Sequence, residues 1–139
     1  MKAKVLLRIA AGLMLVHLLG HAVGHATWDK PEDPKMLDVV TAMKSYEAEF
    51  MGAVKSMADY YNGYSLLIFG VYAMSLALLW VTAGFVEEQK VIAKKILYPV
   101  GITLLFFGIV EFIFFFPFAA SMSFLAGVLA ISSVTVVKK

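Results

Sequence analysis

The sequence predicts an all-α integral membrane protein: a four-helix bundle with an additional extracytoplasmic amphipathic helix. Of its 139 residues, 61% are hydrophobic and 16% charged. Soluble domains carry roughly 25% charged residues, so this chain has more apolar surface than one small water-soluble core can hide. Four windows, Val5–Ala26, Ser65–Val86, Ile96–Phe116 and Phe118–Val137, each supply the ~20 predominantly apolar residues that a hydrocarbon core requires. Runs such as "SLLIFGVYAMSLALLWVTAGF" lack the period-two alternation of a membrane β-strand, which excludes a barrel. The whole chain, 1–139, reads as a single membrane domain.

The first span opens on Lys2, Lys4 and Arg8 and holds every histidine of the chain in "HLLGHAVGH". Its basic start, apolar stretch and small residues at Ala22, Gly24 and Ala26 also have the outline of a secretory signal. The apolar run is long for a signal peptide, and cleavage would leave an odd number of spans, so retention is expected. The polar segment Thr27–Tyr64 begins with "WDKPEDP", whose prolines prevent a helix before Pro34. Behind it, Met36, Val40, Met43, Glu47, Phe50, Val54, Met57 and Tyr61 recur at spacings of four and three. That pattern predicts an amphipathic helix over about 36–61, lying at the membrane surface or capping the bundle. Asn62-Gly63 is expected to end it. The third and fourth spans meet at Pro117 with almost no loop, which predicts a tight hairpin.

Lysine and arginine set the orientation. Lys2, Lys4 and Arg8 precede the first span, Lys90, Lys94 and Lys95 separate the second from the third, and Lys138 and Lys139 follow the fourth. By the positive-inside rule both termini are expected to face the cytoplasm. Trp28, Tyr60, Tyr61 and Tyr64 then mark the outer interface, and Trp80 and Tyr98 the inner one. Arg8 can snorkel to the inner surface. A net charge of +2, scattered along the chain, gives no footprint for nucleic acid. The absence of cysteine excludes disulfides, thiolate metal sites and thiol nucleophiles.

His17, His21 and His25 advance by about 100° per residue, so they share one helix face about 80° wide. Gly20 and Gly24 edge that face, and Leu15, Leu19, Val23 and Ala26 point away from it, so the imidazoles are expected to face the bundle interior, with the glycines admitting a neighbouring backbone. Glu111 is the only acid within the four predicted spans, and a carboxylate there needs a partner or water. Glu111 and His21 each lie five residues from an outer boundary, about 7 to 8 Å deep, which makes His21 the first candidate partner. Tyr61, Tyr64, Ser65, Tyr72, Ser121, Ser123 and Glu47 reach the same outer half. The candidate ligand-binding or proton-relay set is His17, His21, His25, Glu111, Tyr64, Tyr72 and Ser121.

These groups admit three readings. Histidines at i and i+4 with a carboxylate from another helix can hold zinc, iron or copper, with His21, His25 and Glu111 as the ligands. They can line a cavity that binds a proton or a small or amphiphilic ligand. They can also be neutral groups that join helices through hydrogen bonds. A His21–Glu111 acid–base pair acting on a lipid or quinone is the enzymatic alternative. A non-catalytic subunit of a membrane complex, or a homo-oligomer, is the other.

The stretches "LLRIAAGLMLVHLLGHAVGH" and "AEFMGAVKSMADYYNGYSLLIFG", with two closely joined C-terminal spans, resemble small bacterial four-span membrane proteins of the broadly DoxX-like group. The resemblance implies a four-helix cytoplasmic-membrane protein and a link to quinone or redox systems.

Overall fold

The structure, a computed structural model, describes residues 2–136. Val137, Lys138 and Lys139, called above as the end of the last span and as cytoplasmic charges, lie outside the described residues. The described chain forms five helices and a two-stranded sheet: α1 (Ala3–Thr27), α2 (Pro34–Ser45), β1 (Glu47–Phe50), β2 (Ala53–Ser56), α3 (Met57–Phe85), α4 (Lys90–Phe114) and α5 (Pro117–Val136). Helices α1, α3, α4 and α5 are each long and apolar enough to cross a membrane. The contacts divide the chain into two compact units. One comprises the described residues up to Leu19 together with those from Val71 onward, and the other is Gly20–Gly70.

The first unit is a helical bundle built on four buried stripes. In α1 the stripe is Ala3, Leu7, Ala10, Met14 and His17; in α3 it is Tyr72, Ser75, Leu79 and Thr82. In α4 it is Ala93, Leu97, Gly101, Leu104, Gly108 and Glu111, and in α5 Ala119, Ser123, Ala126, Ala130 and Ser133. Each advances by threes and fours, so one face of each helix turns inward. The opposite faces expose Leu15, Trp80, Ile102, Ile109 and Phe112, which suits lipid as the outer solvent.

The expected hairpin joins α4 to α5 through Phe115 and Phe116, with Pro117 at the start of α5. Glycine lets these two helices close. A Cβ on Gly108 would lie 2.8 Å from the Phe124 backbone, and one on Gly127 would lie 2.8 Å from the Leu105 nitrogen. Close backbone approach at small residues is the usual packing device between membrane helices. Gly20 and Gly24, to which the sequence assigned that role, have open space where a Cβ would stand. They are surface glycines. Arg8 lies over the Trp80 ring at 3.7 Å, a cation–π contact for a side chain expected only to snorkel.

The second unit departs from the predicted surface helix. Asp33 accepts a hydrogen bond from the Lys35 amide and Pro34 occupies the first turn, so α2 begins where the prolines allow. It stops at Ser45, far short of residue 61. Glu47–Phe50 pairs antiparallel with Ala53–Ser56, Phe50 opposite Ala53, around a two-residue turn. Met51 and Gly52 both have positive φ, 52° and 81°, the backbone of a primed hairpin turn. The apolar stripe that suggested a helix is therefore split, and only Val40 of α2 is buried.

Helix α3 then starts at Met57, eight residues before the predicted span, and runs through Asn62 and Gly63. Ser56 and Asp59 form its capping box: the Ser56 amide and hydroxyl donate to Asp59 Oδ2 at 2.9 and 3.0 Å, and the Asp59 amide donates to Ser56 Oγ at 3.1 Å. Asn62 is held instead of breaking the helix, because its Oδ1 accepts from Trp28 Nε1 at 3.0 Å.

Candidate functional site

The interior of the first unit brings together one polar side chain from each of its four helices. They are His17 (α1), Tyr72 (α3), Glu111 (α4) and Ser123 (α5), and all are buried. Each sits on its helix's inward stripe, so the spacing that builds the core also delivers the site.

Tyr72 donates its phenolic proton to Glu111 Oε1 at 2.5 Å. The same oxygen lies 3.6 Å from His17 Nε2, inside ion-pair range. On the other edge of the imidazole, Ser123 Oγ is 3.1 Å from His17 Nδ1. Ser123 is also a hydrogen-bond partner of the Glu111 carboxyl group, and its hydroxyl has one proton to give, so a neutral His17 either accepts at Nδ1 with its proton on Nε2 or donates from Nδ1 to the serine oxygen. The His17 and Tyr72 rings also face each other at 4.3 Å with a 36° tilt. Phe107 closes against Tyr72 edge-on at 6.2 Å.

Glu111 Oε2 is fully buried and has no hydrogen-bond partner among the described residues. A buried carboxyl oxygen of this kind is satisfied by a bound water, by a ligand's donor, or by a proton of its own. The arrangement can therefore hold a proton between a carboxyl group and an imidazole, with a phenol and a hydroxyl fixing their orientation.

The remaining histidines belong to the second unit. His21 Nε2 donates to the Ser65 carbonyl at 3.0 Å, and Ser65 Oγ stands 3.1 Å from the same nitrogen. A carbonyl only accepts, so His21 carries its proton on Nε2. Ser65 Oγ in turn lies 2.9 Å from His25 Nδ1, within hydrogen-bond distance. Phe69 meets both rings edge-on, at 4.7 Å for His21 and 5.6 Å for His25. The two imidazoles thus clasp one serine of α3 and pin α1 to it.

These placements revise the sequence reading in four respects. The histidine brought to Glu111 is His17, one turn deeper than His21. The helix ends differ from the predicted ones: α4 ends at Phe114, not Phe116, and α1 at Thr27, not Ala26. Ser123 joins the cluster; Ser121, named in its place, donates to the Phe118 carbonyl at 2.8 Å within its own helix. Tyr64 is exposed, and Glu47 lies on an exposed strand. Among the described residues no group of three His, Asp or Glu side chains converges in a way that could hold a metal ion.

Ser65 and Ser123 are the residues that the sequence reading left out of its candidate set. Ser123 could have been found from its register with Ala119, Ala126 and Ala130, a small-residue stripe that Ser121 does not share. No family profile matches this chain, and comparisons with curated proteins and with solved structures give no match.

Proposed function

We propose that this chain is a multi-pass membrane protein whose first unit holds an exchangeable proton at the His17–Glu111 pair, in service of a redox or transport system. One observation carries the reading: every helix of that unit contributes one buried polar side chain to a single cluster containing a carboxyl group and an imidazole. Ionisable groups among membrane spans are costly and are characteristic of proton paths and ligand sites.

Access is one-sided in this reading. Glu111 is three residues from the end of α4 and twenty-one from its start, distances of about 4.5 and 31 Å along the helix. On the long side the buried side chains are mostly apolar, Leu7, Met14, Leu79, Leu97 and Leu104, with the hydroxyls of Ser75, Thr82 and Ser133 among them. The short path for the proton is by way of the α4–α5 turn. The lysine and arginine distribution supports an orientation with both termini in the cytoplasm and that turn on the extracytoplasmic side, and the resemblance noted above supports a bacterial inner membrane. The DoxX-like resemblance of the two quoted stretches fits a redox setting.

Infrared pH titration of the purified protein tests this. A carboxyl band that appears and disappears with pH, and is missing in Glu111→Gln, is the expected result. Identical titration spectra for wild type and variant would remove the proton-binding role.

A further inference from the structure

A groove of about 560 Å³ in the second unit runs along the first turns of α3, separate from the histidine clusters. One end is formed by Lys55 and Asp59, the middle by Tyr60, Gly63 and Tyr64, and the other end by Leu67. From Asp59 to Leu67 the helix rises about 12 Å, the scale on which a bilayer changes from headgroups to acyl chains. Tyr64 and Leu67 are largely exposed, at 65% and 67%. The polar end thus belongs to the interface and the apolar end to hydrocarbon.

The charges at the polar end are of opposite sign and within electrostatic reach of each other. Lys55 forms no close ion pair among the described residues, and the Asp59 carboxylate is fixed by Ser56. A fixed anion beside a cation that is not in direct contact with it complements a headgroup carrying both charges. We propose that this groove is a binding site for one phospholipid with a phosphate and a primary ammonium, as in phosphatidylethanolamine. Its phosphate meets Lys55, its ammonium donates to Asp59, and an acyl chain lies over Gly63 and along Leu67. A phosphatidylglycerol would bring phosphate to Lys55 but offer Asp59 only neutral glycerol hydroxyls, weaker donors than an ammonium. A phosphatidylcholine has no N–H to donate to Asp59.

Gly63 supplies the means to test this without disturbing the fold. A Cβ there meets nothing within 4 Å, and leucine is a far better helix former than glycine, so Gly63→Leu fills the groove while keeping α3 intact. The experiment is native mass spectrometry of the full chain after equilibration with equimolar ethanolamine, glycerol and choline phospholipids of the same acyl composition. Wild type is expected to retain the ethanolamine lipid preferentially. Lys55→Glu and Gly63→Leu should each lower that retention on the order of tenfold, the scale of one charge-assisted contact. Asp59→Asn, which keeps an acceptor for the Ser56 cap, should abolish the preference over choline. Ile109→Leu, on an exposed face of α4, should leave retention unchanged. Equal retention of the three lipids, preference for the glycerol lipid, or retention indifferent to both Lys55→Glu and Gly63→Leu would overturn the assignment.

Discussion

Glu111 Oε1 receives the Tyr72 hydroxyl at 2.5 Å and lies 3.6 Å from His17 Nε2, so one carboxyl oxygen links α3 to both α4 and α1. Side-chain hydrogen bonds between membrane helices are worth about 0.6 kcal/mol on average and up to about 1.7. Tyr72→Phe removes only the hydroxyl and leaves the ring against His17. It should cost about 1 kcal/mol in unfolding measurements in detergent, and the same substitution in a Glu111→Gln background should cost less, because the charge-assisted part of the bond is already gone.

Helix packing gives a prediction independent of the polar cluster. Gly108→Ala would place a methyl group 2.8 Å from the Phe124 backbone, forcing α4 and α5 apart at a cost of about 1 to 3 kcal/mol. Gly84→Ala, with nothing within 4 Å of the new Cβ, should be neutral or stabilising by up to about 1 kcal/mol. Thermal unfolding of the two variants side by side reads the difference.

The turn between β1 and β2 carries avoidable strain. Met51 has φ 52°, where residues other than glycine and asparagine pay about 1 to 2 kcal/mol. Met51→Asn produces the Asn-Gly pair favoured in such turns. It should slow amide hydrogen exchange across 47–56, whereas Gly52→Val should speed it and expose the segment to protease.

Lys44 Nζ bonds Asp29 Oδ2 at 3.0 Å, and that hydrogen bond holds the Asp29 carboxyl below its ordinary titration range. A depressed folded-state value means the contact stabilises above the unfolded value and is lost as pH falls through the lowered one. Lys44→Ala should raise the Asp29 titration, followed by side-chain carboxyl NMR, towards the ordinary range. Because the pair is exposed, salt should reduce the effect as well.

Much of this was legible in the residues. Four spans, the helical class, the Pro34 start and the Pro117 hairpin follow from length, apolar composition and proline chemistry. The hairpin at Glu47–Ser56 was not, because Met36 to Tyr61 also satisfies a helical period. The decisive feature was local: Gly52 beside alternating residues in "EAEFMGAVKS". Glu111 and Tyr72 were recognisable as an acid and a phenol on apolar helices. Which imidazole meets the acid was not, since that depends on how far each helix extends past its neighbours, and helix ends are the least readable part of a sequence. Ser123, though placed in the outer half, stayed out of the candidate set for a related reason: two serines, 121 and 123, lie within one turn, and only the inward register separates them.

The most direct test follows the ring nitrogens of His17 by ¹⁵N NMR through a pH titration, in wild type and Glu111→Gln. Coupling of the two groups is expected to appear as a His17 titration that moves when the carboxyl group is replaced. A His17 ring that titrates identically in both proteins would contradict a shared buried site.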